Sequence, residues 1–359
     1  MNTHHKKSNR FLLLDFLRTI SFFPIVIFHA QLVKWYDPGV DLSAEVPAIA
    51  VLEAVVRSLS FSGFSIVFLT SFLMGLRPRK IKKRTSLLTF LLIGWVLLSL
   101  LSLYFGGDFS LTWDVYPLIA LGIITSTLFH SAFSNRFGVV LPSIGFILLW
   151  IKPWDWIELN GYLGNALGFA SCQTEVAEWP IFPWIGLVWL GYGLGHYVKE
   201  NLKDGGISLT KREGVMWLLF IAASLPHFGP FYNIRLGVYF SCDVYRMPPE
   251  IFWAHLSLPL AITRVALIPR VNKAVHEMKF FTWLSTLAIN RVFWLAYIVA
   301  YFQNFIVCYL IEVFIEGSPN YGTWITLIAY TWFPLTEVLT RFVEKSFLHI
   351  KNWAKGPNS

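Results

Sequence analysis

The apolar stretch FLLLDFLRTISFFPIVIFHA near the N-terminus carries three ionisable side chains, Asp15, Arg18 and His29. A histidine held there is a candidate general base. Its free pKa lies near neutrality, so it can take a proton from a hydroxyl or amine as that group attacks. Asp15 and Arg18 stand at i, i+3 and can pair on a helix. At about 100° per residue, all three side chains project within roughly one 60° arc of one helix face. Such a stripe on an otherwise apolar helix must face a protein interior or a cavity, not lipid. His29 lies about 16 Å beyond Arg18 along the axis. Pro24, between them, frees a backbone carbonyl and can kink the helix. The same geometry admits a plainer reading, in which Asp15–Arg18 is a buried clamp and His29 an interfacial histidine.

A second cluster is RPRKIKKR, Arg77 to Arg84, with six basic residues in eight positions. It either only orients the chain in a membrane, or it supplies phosphate contacts for an anionic donor through Arg77, Arg79 and Lys80. Three more arginines fall inside apolar runs. Arg264 and Arg291 lie near run ends, where snorkelling is expected; Arg57 sits well inside the second run and is harder to dismiss. Snorkelling is also expected for His130 and His196; His227 and His255 read as satisfied core histidines, or else share a cavity with His29. The sequence holds no HExxH, GxSxG or P-loop. Its three cysteines show no zinc spacing, so no metal cofactor is expected. Cys172 and Cys242 fall in segments on one side of the membrane, as a disulfide or as two free thiols.

The elements that must position these residues are membrane helices. Of 359 residues, 55% are hydrophobic and 14% charged, against roughly 25% charged in an average soluble domain. This composition excludes a water-soluble globule, a disordered chain, collagen and a coiled coil. Aromatics reach 17%, with 16 Trp and 32 Phe, as suits interfacial anchoring. Apolar runs recur at about 11–33, 47–76, 85–105, 115–133, 137–150, 181–198, 214–229, 249–268, 284–314 and 323–343. The ninth is long enough for a short amphipathic helix before Asn290. Ten spans put both termini on one side. The segments of that side carry 21 Lys and Arg, counting Arg341 at the end of the tenth run, and those of the opposite side 4. The positive-inside rule then places both termini in the cytoplasm. The expected fold is all-α: one polytopic helical bundle of about ten transmembrane helices, N-in and C-in, with a single domain over residues 1–359. The net charge of +8 belongs to these loops; no nucleic-acid-reading motif accompanies it.

Several stretches resemble the transmembrane acyltransferases, which include the acyltransferase-3 and heparan-alpha-glucosaminide N-acetyltransferase-like proteins. LDFLRTISFFPIVIFH is similar to their opening pattern of Asp, Arg and then His. FSIVFLTSFLMGLRPRK resembles their second span running into a basic loop, and VYPLIALGIITSTLF their fourth. WPIFPWIGLVWLGYGLG, Trp179 to Gly195, resembles the Pro-x-x-Pro-Trp-x-Gly block of the heparan-type branch and is the most specific of these matches. Thr19 stands where many members have Gly, and LAINRVFWLAYIVAYFQ lacks the late-span histidine. The resemblance covers about residues 10 to 345. It implies an acyl-CoA co-substrate, acetyl-CoA above all, bound from the cytoplasm. The acyl group would pass to a hydroxyl or amine of an envelope glycan or glycolipid on the far side. His29 would be the catalytic residue, and Arg18 carries over beside it, with Asp15 as its neighbour. Lipid is the expected surrounding and a bacterial inner membrane the expected location. The competing function is a transporter or flippase for an anionic or lipid-linked solute. Such folds are often built from paired halves, and no internal repeat is visible here.

Overall fold

The computed structural model describes residues 10–19, 21–22, 62–77, 81–104, 115–151, 159, 161–168, 180–202, 206–224, 249–314, 331, 334–346 and 349. Among them the chain is helical apart from short connections. The helices are α1 (12–19, with 21–22 helical beyond), α2 (Ser62–Leu76), α3 (Ile81–Tyr104), α4 (Val115–Phe133), α5 (Phe137–Leu148), α6 (Gly161–Leu167) and α7 (Ile181–Asn201). They continue as α8 (Lys211–Ser224), α9 (Pro249–Ala266), α10 (Pro269–Glu277), α11 (Lys279–Ser285), α12 (Ala288–Arg291), α13 (Phe293–Phe314) and α14 (334–346). One of these, α4, is both long and apolar enough to cross a bilayer. Shorter apolar helices cover Ser65–Leu76, Thr85–Leu97, Phe137–Leu148 and Leu256–Ala266.

The core is built around α7, which packs against α2 on one side and α5 on the other. Small residues make this possible, because they let helix backbones approach closely. A Cβ on Gly195 would sit 2.1 Å from the Phe72 carbonyl oxygen of α2. On the other side, a Cβ on Gly145 of α5 would sit 2.5 Å from the Gly186 oxygen of α7. Residues 180–195 of this block are therefore a packing element on both faces. Outside this core, apolar side chains point outward: Leu92, Ile93 and Val96 of α3, and Val215, Met216, Leu218 and Leu219 of α8. Faces of this kind need a second apolar phase against them.

Arg264 does not snorkel. It is pinned near the C-terminal end of α9 by the Glu213 carboxylate, at 2.5 Å from Nε and 3.0 Å from Nη2, and it donates to the Ile207 and Ser208 carbonyls. Its side chain is only 13% exposed. Burial with a partner at hand favours this bidentate pair over a solvated head group. The Arg264 hydrogen bond holds the Glu213 carboxyl below its ordinary value of 4.5, against the opposing effect of burial. The stability so gained is complete above that ordinary value and is lost as pH falls through the lower folded one. Glu213→Gln is therefore expected to melt several degrees below the parent at pH 7, with the gap closing below about pH 4. A gap equal at pH 7 and pH 3 in detergent melting curves would show that charge has no part in it.

The ninth apolar run is not one helix. It breaks after Ser285, where Leu287 is extended, and again at Val292, which has φ −126° and ψ 51°. The short α12 is isolated between the breaks. A broken helix leaves backbone N–H and C=O groups that need partners, and supplying them organises the site.

Candidate active site

Asp15 lies on α1 with 2% of its surface exposed, and Arg18 with 9%. Arg10, just before the helix, folds back so that its Nε donates to Asp15 Oδ2 at 2.5 Å. Arg18 Nη2 stands 3.7 Å from Asp15 Oδ1. The expected i, i+3 pair thus exists, but Arg10 is the nearer cation. Two guanidiniums share one buried carboxylate.

Both arginines reach across to the broken run. Arg10 Nη2 donates to the Ser285 carbonyl at 2.9 Å, and Arg18 Nη2 donates to the Asn290 carbonyl at 2.5 Å. The Asn290 amide donates in turn to the Leu284 carbonyl at 3.0 Å. From the other side, Glu337 of α14 accepts the backbone N–H groups of Ala288 and Ile289, at 2.8 and 3.0 Å. Arg341, one turn on, donates to Glu337 at 2.6 Å. Residues 285–292 are therefore gripped at carbonyls by Arg10 and Arg18 and at N–H groups by an α14 carboxylate. This accounts for orphan groups at both breaks.

The cluster carries excess positive charge. Arg77, at the C-terminal end of α2, is close enough that Asp15 and Arg10 both act on its charge, and it acts on Arg18. Two guanidiniums reach one carboxylate, and Arg77 adds its charge from the exposed end of α2, a field suited to a phosphate or a developing anion. Arg18 Nε and Ser21 Oγ are buried with no hydrogen-bond partner among the described residues. Such orphans are uncommon in a finished core. Above them the Arg18 guanidinium lies over the Phe293 ring, 5.1 Å from its centroid. Phe22, Phe293 and Tyr297 continue this aromatic wall, and Tyr116 of α4 meets Trp294 and Tyr297.

The candidate residues divide cleanly. Asp15 and Arg18 come together, and Arg77 acts on their charges from the end of α2. His29, Arg79 and Lys80 lie outside the described residues, as do Arg57, His227, Cys172 and Cys242. His196 is buried at 6% rather than snorkelling, with its ring 5.3 Å from that of His130. The Gly-lined α2–α5–α7 packing encloses that end of α7, which explains the difference. Arg291 is exposed but engaged, bidentate with Glu344. Among the described residues no three metal-ligating side chains gather. Sequence reasoning missed Arg10, Asn290 and Glu337. Arg10 counts as a loop charge until the chain is seen to turn back. Glu337 carries the better signal: a carboxylate between apolar residues in VLTR-like surroundings has to find donors.

The family model described as heparan-alpha-glucosaminide N-acetyltransferase, catalytic, matches residues 10–232. The chain belongs to that family. It is an acetyltransferase family of membrane proteins, so the chain is placed among the acyltransferases. No curated protein and no solved structure matches. The match begins at Arg10, the first residue of the charged cluster, and takes in Asp15, Arg18, His29, Arg77 and the α2–α5–α7 core. Ser285, Asn290 and Glu337, which clamp that cluster, fall beyond it. In this acetyltransferase the matched region supplies the charges, and the C-terminal third holds them in place.

Proposed function

We propose that the protein is a multi-pass acyltransferase of the bacterial plasma membrane, with about ten spans and both termini in the cytoplasm. It moves an acetyl group from cytoplasmic acetyl-CoA to a hydroxyl or amine of an envelope glycan or glycolipid on the far side. Family membership supports the reaction class. The observation that carries the reading is the surplus of guanidinium around Asp15, which suits an anionic donor at the cytoplasmic end of α1. His29 accepts the proton of the attacking hydroxyl or amine. The new C–O or C–N bond forms at the thioester carbonyl and the C–S bond breaks. The departing CoA thiolate takes the proton that His29 returns. Arg18 and Arg10, held by Asp15, position the donor and the broken segment.

The test is turnover of acetyl-CoA by the purified protein with and without a glycan acceptor, joined to mass spectrometry of envelope glycans from cells with and without the gene. Loss of an acetyl mark in the deletion is expected; unchanged glycans and no turnover would overturn the reading. The basic loop is expected to help hold the donor. Neutralising Arg77 and Arg79 together should raise the acetyl-CoA Kd about tenfold at low ionic strength, and less in high salt because exposed contacts are screened. Equal affinity across the salt range, measured by titration, would leave the loop purely topogenic.

A further inference from the structure

A cavity of about 300 Å³ lies against the 285–292 segment, lined by Thr286, Arg291, Arg341, Glu344 and Lys345. Three of these are cations and one is a carboxylate. Glu344 is taken up by Arg291, whose third nitrogen donates to the Thr286 carbonyl. Arg341 spends only Nε, on Glu337. Its two terminal nitrogens and the Lys345 ammonium have no partner among the described residues, so donors and positive charge are left over at the cavity.

Two features fix what sits beside this cavity. On α14 the side chains of Leu335, Val338 and Phe342 are exposed, Phe342 at 69%, and with Lys345 they follow a 3-4-3 spacing along one face. An outward apolar stripe thus ends at an unpaired ammonium. On α11, Phe280 and Trp283 are also exposed, and Trp283 stands one turn before Thr286. An exposed Trp such as Trp283 suits the level of lipid head groups. An apolar stripe running up to cations at head-group depth has the two-part chemistry of an anionic phospholipid.

We propose that this cavity binds the phosphate of one anionic phospholipid of the cytoplasmic leaflet, with its acyl chain along Leu335, Val338 and Phe342. The site rests on the membrane reading above, and it lies outside the family match. Arg341 Nη1 and Nη2 and Lys345 Nζ donate to the phosphate, and Arg291 adds charge. The occupant sits against the same short segment that Arg18 grips through Asn290. Lipid bound there steadies the 285–292 break and, through it, the Arg18 guanidinium.

Native mass spectrometry of the full chain in mild detergent, offered phosphatidylglycerol or phosphatidylcholine, tests this. The parent is expected to retain phosphatidylglycerol preferentially. Lys345→Gln should lower that retention about fivefold, the worth of one basic residue at an anionic surface, and leave phosphatidylcholine unchanged. Val338→Asn should lower retention of both lipids by disturbing the stripe. Lys345 is exposed and unpaired, so Lys345→Gln keeps the fold and carries the test even if an Arg341 variant does not. Equal retention of the two lipids by the parent, or unchanged retention in Lys345→Gln, would overturn the proposal. Displacement of the lipid by adenosine 3′-phosphate at equal concentration would also overturn it and give the cavity to a soluble phosphate. A chain that stays monodisperse without detergent would instead overturn the membrane reading.

Discussion

Asp15→Ala is expected to destabilise the protein by about 3–5 kcal/mol, the usual result of leaving a buried charge without its partner. The stranded charge is Arg18. It is 9% exposed and its other contacts are a carbonyl, an amide oxygen and the Phe293 ring. Arg18→Ala should cost less, because Asp15 keeps Arg10 at 2.5 Å. The order of these two variants is the informative result. If the i, i+3 pair stood alone, each deletion would strand the other charge and the two would cost alike. Detergent melting of both variants decides it, and Asp15→Ala/Arg18→Met should recover part of the loss by removing the stranded charge. An Asp15→Ala protein that melts with the parent would mean that Arg18 reaches water.

His29→Ala is expected to lower acetyl transfer by about 10²–10⁴-fold, the range for removing a general base, while melting temperature and donor affinity stay near those of the parent. A base must be near neutral pKa and within hydrogen-bond reach of the acceptor in the working complex. The activity of the parent should accordingly fall on the acid side as the imidazole protonates, and residual His29→Ala activity should lack that limb. Initial rates of acetyl-CoA consumption across pH 5–8 measure both. Near-parental turnover in His29→Ala would leave His29 an interfacial residue and remove the centre of the mechanism.

Much of this was readable in the residues. The helical class follows from the apolar runs, and helices such as Val115–Phe133 and Ile181–Asn201 start where the runs start. The Asp15–Arg18 pairing follows from spacing alone. What spacing could not give is the chain reversal before α1 and the distant partners that hold the break after Ser285. Arg10 reaches Asp15 only because the chain turns just before α1. The 285–292 break falls where Ser285, Thr286, Asn290 and Arg291 interrupt the apolar run, which is where a short helix before Asn290 is expected, and neither Gly nor Pro marks it. The cause is long-range: Arg10, Arg18 and Glu337 offer the freed backbone groups better partners than a continuous helix would. Local propensity loses to such a network wherever several charges converge on a few peptide groups.

The hydrogen bond from Arg18 to Asn290 joins residues 272 apart in the chain. At roughly 5–20 residues per second of synthesis, tens of seconds pass between the emergence of α1 and that of the segment it grips. Through that interval Arg10 and Arg18 lack the Ser285 and Asn290 carbonyls, and Asp15 is the neighbour that compensates them locally. The close Arg10–Asp15 pair needs only residues made at the start of synthesis. It lets a charged first helix wait, half-compensated, until the last third of the chain arrives to lock it.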